Sequence, residues 1–267
     1  MVYGSEGQDL RLVAVGDALI TRRLSVFRDE PFLRLVKLIR GADVALANLE
    51  MLIHDYEGHP AAQSGGTYLA APPYILDELR WAGFNLLGCA NNHSGDYGEG
   101  GVLATMRYLQ AKGWVYAGIG RNLSEARAPG YLETAKGRVA LLAASSTFAA
   151  AMRAGEQRPD LPGRPGLNPL RYHVRFHVPL EAVEQLRVIS ERLGLEKAKE
   201  QRRKLGYPIP GEKEGFVFAD RIFIVDDEYR VVTEPDSGDL QAILKWIADA
   251  RRQADWVLFS MHCHEGD

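Results

Sequence analysis

The sequence holds only two cysteines, Cys89 and Cys263, in 267 residues. Two thiols are too few for a disulfide framework or a four-thiolate zinc site. Both are read as reduced, each in a buried-strand context, with Cys89 packing and Cys263 within reach of a candidate site. Long apolar runs are also missing: no stretch approaches the roughly 20 residues of a membrane-spanning helix. The start, Met1-Val2-Tyr3-Gly4-Ser5-Glu6, has neither the basic nor the apolar region of a secretory signal. These absences predict a soluble, cytoplasmic protein with no membrane span. A basic excess is lacking as well, since the net charge is -3 and the pI near 6.2, which argues against a dedicated nucleic-acid binder. Gly118-Ile119-Gly120 is followed by neither a third glycine at dinucleotide spacing nor a Lys-Ser/Thr pair, so it is read as a plain turn.

What is present is a regular alternation. Hydrophobic residues make up 46% of the chain, enough for a substantial core. Apolar runs of strand length at 10–15, 42–47, 85–90, 114–117, 139–144 and 256–260 alternate with helical periodicity at 31–40, 74–82 and 100–112, and a last helix over 237–253. That order predicts an α/β layered fold. In the last run Val257, Leu258 and Phe259 are continuous, which predicts an interior strand covered on both faces. The pattern breaks at about 148–236, where a proline- and glycine-rich loop, an amphipathic helix over 180–193 and the charged stretch 196–204 follow one another. This region is read as an inserted helical and loop subdomain within a single domain spanning 1–267.

Four polar clusters stand at the ends of the predicted strands: Gly16-Asp17, Asn48-Leu49-Glu50, Asn91-Asn92-His93 with Asp96, and His262-Cys263-His264-Glu265. Carboxylate, amide and imidazole together suit a hard or borderline divalent cation, and α/β sheets gather such groups where strand ends meet.

These clusters, with Ala117-Gly118-Ile119-Gly120-Arg121-Asn122, resemble the CapA family, named for poly-γ-glutamate capsule proteins, which is similar to the calcineurin-like metallophosphoesterases. The resemblance implies a four-layer αββα sandwich with a dinuclear metal centre at the carboxyl ends of the strands. Two departures stand out. Leu19 occupies the place of a histidine ligand two residues after the first aspartate, and the chain ends at Asp267 before a further Gly-His-x-x-His segment. The domain is therefore expected to be C-terminally incomplete.

In this frame Asp17, Glu50, Asn92, His262 and His264 are the expected ligands of divalent ions, two in number, of Mn, Fe, Zn or Ca. His93 is either a ligand or an acid/base group oriented by Asp96. The expected catalytic residues are His93, Asp96, His264 and Glu265. Strand alternation puts His262 and His264 on one side. His54, His59, His173 and His177 fall in loop-like or inserted stretches and are set aside. The predicted activity is hydrolysis of a peptide, a γ-glutamyl polymer or a phosphoester. Two alternatives stay open: a peptide epimerase abstracting a Cα proton, and a non-catalytic accessory protein in polymer synthesis or export. Substrate choice is expected to reside in the loops 56–68 and 159–169.

Overall fold

The structure is a computed structural model in which residues 9–64 and 66–264 are described. The chain divides into two compact units, Met1–Leu170 with Ser237–Asp267, and Arg171–Asp236.

In the first unit, a parallel sheet runs in the order Leu12–Ala18, Val44–Leu49, Leu86–Gly88, Val115–Ala117. Parallel neighbours need crossover connections, and the helices Glu30–Arg40, Ile75–Ala82 and Gly98–Ala111 supply them. The first of these carries Pro31 in its opening turn and Lys37 and Arg40 in its last, placements that suit the free N–H groups at one end and the partial negative charge at the other. The second stops at Gly83, whose φ of 110° only glycine adopts readily. Added bulk there would also meet the backbone of Arg40 at 3.0 Å.

A second sheet pairs Trp256–His262 in parallel and Gly130–Thr134 antiparallel with the central strand Gly137–Ser145. The central strand is buried from Val139 to its end. Period-two alternation sends Val139, Leu141 and Ala143 into the main core with Leu86, Leu87 and Leu258. It sends Ala140 and Leu142 the other way, against Trp246, Ile247 and Ala250 of the helix Ser237–Ala250. Each fully buried leucine contributes about 1.5–3 kcal/mol of transfer free energy. Gly88 and Gly118 mark close approaches within this core: a Cβ on Gly118 would stand 2.7 Å from Ala90 and 2.9 Å from Ala143, and φ there is 100°. The glycine pair read as a plain turn continues into a short strand, Ile119–Gly120, paired antiparallel with Gly166–Leu167.

The second unit carries a mixed sheet in the order Phe216–Phe218, Arg221–Val225, Tyr172–Val178, Arg230–Pro235, with helices Leu180–Arg192 and Leu195–Lys204. The expectation of helices and loops alone across 148–236 is corrected here. The strand Tyr172–Val178 interleaves apolar with charged residues and so lacks a continuous apolar run, whereas Phe216–Phe218 and Arg221–Val225 carry apolar runs that are short. The charged helix Leu195–Lys204 buries none of its residues, as expected of a solvated face.

Two further expectations are corrected. Among the described residues Trp256–His262 is an edge strand, not an interior one, and Phe259 is 40% exposed. Cys263 is exposed beyond its end, whereas Cys89 is buried. No helix of the described residues is long and apolar enough to cross a membrane.

Candidate metal centre

The ends of both sheets of the first unit bring polar groups together. Pairing of the first two strands shifts register between Ala14 and Asp17, and this bulge sets Asp17 opposite Asn48. The Asn48 amide Nδ2 donates to Asp17 Oδ1 at 2.7 Å and lies 3.2 Å from His262 Nδ1. An amide NH₂ can only donate, so without metal Nδ1 accepts and Nε2, turned to the site, carries the ring proton toward Asn92 Oδ1, a proton that a cation at Nε2 would have to displace. That atom, His262 Nε2, lies 2.8 Å from Asn92 Oδ1, 3.0 Å from His264 Nε2 and 3.6 Å from Glu50 Oε1. Asp17 Oδ1 is 3.8 Å from His262 Nδ1.

Glu50, His262 and His264 each offer a ligand atom, and these atoms lie within 4.8 Å of one another. Ligand atoms held about 2.1 Å from one ion stand roughly 3–4 Å apart, so a divalent cation fits this donor set with a small contraction. Five of the residues expected in the site therefore converge: Asp17, Glu50, Asn92, His262 and His264.

His93 and Asp96 stand just behind them. The turn that carries both is organised by Asn91, which is fully buried. Its Oδ1 accepts from the His93 backbone N–H at 3.0 Å, and its Nδ2 donates to Leu49 O at 2.9 Å and Asn48 Oδ1 at 3.2 Å. His93 Nδ1 meets Asp96 Oδ2 at 2.7 Å, with both side chains buried. Asp96 Oδ2 also accepts from the Leu69 N–H at 2.8 Å. His93 is near enough for its charge to bear on His262. Glu265 lies outside the described residues.

Electrostatics separate the two carboxylates. Burial, then the hydrogen bond and negative charge of Asp17, push Glu50 up to about 7. For Asp17, burial acts upward, yet hydrogen bonds with Asn48 and Glu50 and the nearby histidines outweigh it and hold the group below its usual value. Burial lowers His262, a shift toward the neutral imidazole that metals require.

Asn48, Asn91 and Thr147 take parts that residue type alone did not assign. Asn48 and Asn91 stand inside the quoted clusters; Thr147, whose Oγ1 accepts from the His264 N–H at 2.8 Å, stands in none. Among the histidines set aside, His54 is buried, packed edge-on against Tyr97 at 4.4 Å, with neither ring nitrogen hydrogen-bonded among the described residues. His177 pairs with Asp226 at 2.7 Å in the second unit. Leu19, standing where a histidine was expected, is half exposed.

The family described as bacterial capsule synthesis protein PGA_cap matches residues 11–267. Two proteins of Sinorhizobium fredii, named uncharacterized protein y4sH and uncharacterized protein y4uA, are each 35% identical over 261 residues, 95% of this chain and 54% of theirs. The capsule biosynthesis protein CapA of Bacillus anthracis is 26% identical over 171 residues, 61% of this chain and 41% of that protein. The chain thus spans about half the length of the curated relatives it matches.

Proposed function

The chain belongs to the PGA_cap family of bacterial capsule synthesis proteins, which is metallophosphoesterase-like, and from that premise we propose that it is a metal-dependent hydrolase serving capsule biosynthesis. The observation that carries the reading is the convergence of Glu50, His262 and His264 ligand atoms within 4.8 Å, with Asp17 and Asn92 in direct reach of His262. The same reading makes the first unit a four-layer sandwich. Its support is the shared core of the two sheets and the helix Ser237–Ala250 packed on the outer face of the second.

Divalent ions held here, two in number, would polarise a carbonyl or phosphoryl oxygen and acidify water. The protein's own part is positional. Asn48 fixes Asp17 and the Nδ1 side of His262, so that Nε2 is presented inward. Asn92 offers an amide oxygen, and Glu50, whose carboxyl is pushed up to about 7 without metal, would give up its proton to bind a cation. Asp96 holds His93 Nδ1, which fixes the ring orientation and leaves Nε2 as the proton donor or acceptor toward substrate.

The test is metal analysis with a substrate panel. Wild-type protein should bind divalent metal and turn over a phosphoester or an amide. Asp17→Ala and His262→Ala should each lose metal affinity by on the order of a hundredfold or more, beyond what loss of an outer partner costs, with melting temperature nearly unchanged. Full metal binding in either variant would refute the ligand set. Deuterium uptake at Cα without hydrolysis would select the epimerase instead, and metal binding without any turnover would select the accessory role.

A further inference from the structure

The central strand runs out into three hydroxyl residues, Ser145-Ser146-Thr147, at the end where its parallel neighbour brings His262 opposite Ser145. Two of the three hydroxyls tie the segments together. Ser145 Oγ lies 2.8 Å from Thr147 O and 3.1 Å from His262 O, so its one hydrogen is shared between a carbonyl of each segment. Thr147 Oγ1 in turn accepts from the His264 N–H at 2.8 Å. We propose that Thr147 is a positioning residue for the metal centre: its hydroxyl latches the backbone of His264, so that this ring stands in the donor set before an ion arrives. The role goes beyond the hydrolase reading above and rests on its metal centre.

The two histidines differ in what holds them. His262 closes the strand Trp256–His262, its carbonyl also accepts from the Ser146 N–H at 3.0 Å, and its side chain is 9% exposed. Ladder and packing therefore fix it. His264 stands past the end of that strand, after the exposed Cys263, and is itself exposed. It borders an open cavity of about 600 Å³ that Thr147 and Phe148 line with it and that Gln63 and Ser64 line from the loop before Leu69. Water reaches the ring there, and packing does not hold it. A free segment that orders only around its ion gives up conformational entropy at that moment, which weakens binding. The latch orders it on folding instead, with His264 Nε2 held 3.0 Å from His262 Nε2.

The base of the latch is firm. Ser145 is fully buried, its N–H donates to Asn168 O at 3.1 Å and its carbonyl accepts from the Leu170 N–H at 2.8 Å. The middle residue supplies an internal contrast. Ser146 gives its backbone N–H to His262, whereas its Oγ is buried with no hydrogen-bond partner among the described residues. Removal of that hydroxyl leaves every bond of the latch in place.

The experiment pairs cobalt(II) titration of the full chain, read by visible absorption, with amide hydrogen exchange of the metal-free protein. Thr147→Val keeps the β-branched shape and removes the hydroxyl. It should lower cobalt affinity about tenfold, the small end of the range for losing a partner that orients a ligand, and should speed exchange at the His264 amide by about the same factor, the worth of one net hydrogen bond. Thr147→Ser should restore both values and Ser146→Ala should leave both unchanged. Thr147 is only half-buried, so its variants should melt with the wild type. Cobalt affinity unchanged in Thr147→Val, or reduced as much in Thr147→Ser, overturns the proposal and leaves the metal centre standing. Slow His264 exchange that depends on Thr147 in a protein that binds no cobalt defeats the metal centre itself, and with it any role of Thr147 toward an ion.

Discussion

The two units each contain a histidine bonded to an aspartate at 2.7 Å, His93 with Asp96 in the first and His177 with Asp226 in the second. In the first pair the side chains are 8% and 0% exposed, and Asp96 divides its acceptors between the imidazole and the loop that lines the cavity. In the second pair Asp226 also binds Arg230 Nη2 at 2.6 Å, and that guanidinium first, with His177 next, brings the carboxyl down to about 2. Asp226 thus spends its charge on a permanent cation at the surface, whereas Asp96 is held beside the convergent donors of the candidate centre. A short His–Asp distance is common to both; the partners of the aspartate and the neighbours of the ring set only one of them beside the candidate centre.

The contrast extends to packing, and there the largest effect is expected. Leu141 is fully buried in the first unit's core, while Val231 of the second unit's sheet is 62% exposed. Leu141→Ala should cost about 2–5 kcal/mol in urea unfolding, and Val231→Ala no more than about 0.5 kcal/mol. Equal losses would mean that the second unit buries more than its surface suggests.

Next in size is the test of the two aspartates themselves. Asp96→Asn should lower turnover about 10- to 100-fold, the range for removing a partner that orients a ligand or acid/base imidazole, and should raise KM as well because Leu69 loses its anionic acceptor. Asp226→Asn should leave both parameters unchanged. A fall in turnover with Asp226→Asn would erase the distinction between the pairs.

Much of the first unit was legible because its chemistry and its periodicity coincide. Continuous apolar strands such as 139–144 end in short polar strings, and Asp17, Glu50, Asn92, His262 and His264 stand where those strings are. The register shift that aligns Asp17 with Asn48 has no sequence mark, and neither does the reach of Thr147 to the His264 backbone, which depends on two strands meeting across a sheet. The second unit's strands were hidden for the opposite reason. Tyr172–Val178 alternates apolar residues with His173, Arg175 and His177, held in ion pairs such as Arg175 with Glu214, and reads as a solvated segment, while Phe216–Phe218 and Arg221–Val225 are apolar but short. His54 stands outside any helix or strand, as read, but its burial had no sequence mark, because the two-residue strand before it, Leu52–Ile53, whose pairing with Ala70–Ala71 precedes the buried histidine, is too short to register.

The smallest effect expected, and the one that separates the units by sign, is in pH. In metal-free protein Glu50 has its pKa raised from 4.5 to about 7, first by burial and then by Asp17, so the folded state holds this proton more tightly than the unfolded chain does. Its stabilisation is complete below 4.5 and is lost as pH rises through about 7. Asp226 is shifted the other way, from 3.8 to about 2, by Arg230 and then His177, so its stabilisation is present above 3.8 and is lost as pH falls through about 2. Thermal melts of metal-free protein should therefore decline from pH 4.5 toward about 7 on account of Glu50, and the Glu50→Gln variant should flatten that slope alone. Asp226→Asn should soften only the acid limb, and weakly, because its exposed charges are screened by solvent. Metal affinity should show the counterpart of the first effect, falling about tenfold for each pH unit below about 7 as the Glu50 proton competes with the ion. A pH 4.5–7 slope that survives Glu50→Gln would show that the buried Glu50 carboxyl does not hold its proton beside Asp17 as described, and the acid–base contrast between the two units would then rest on Asp226 alone.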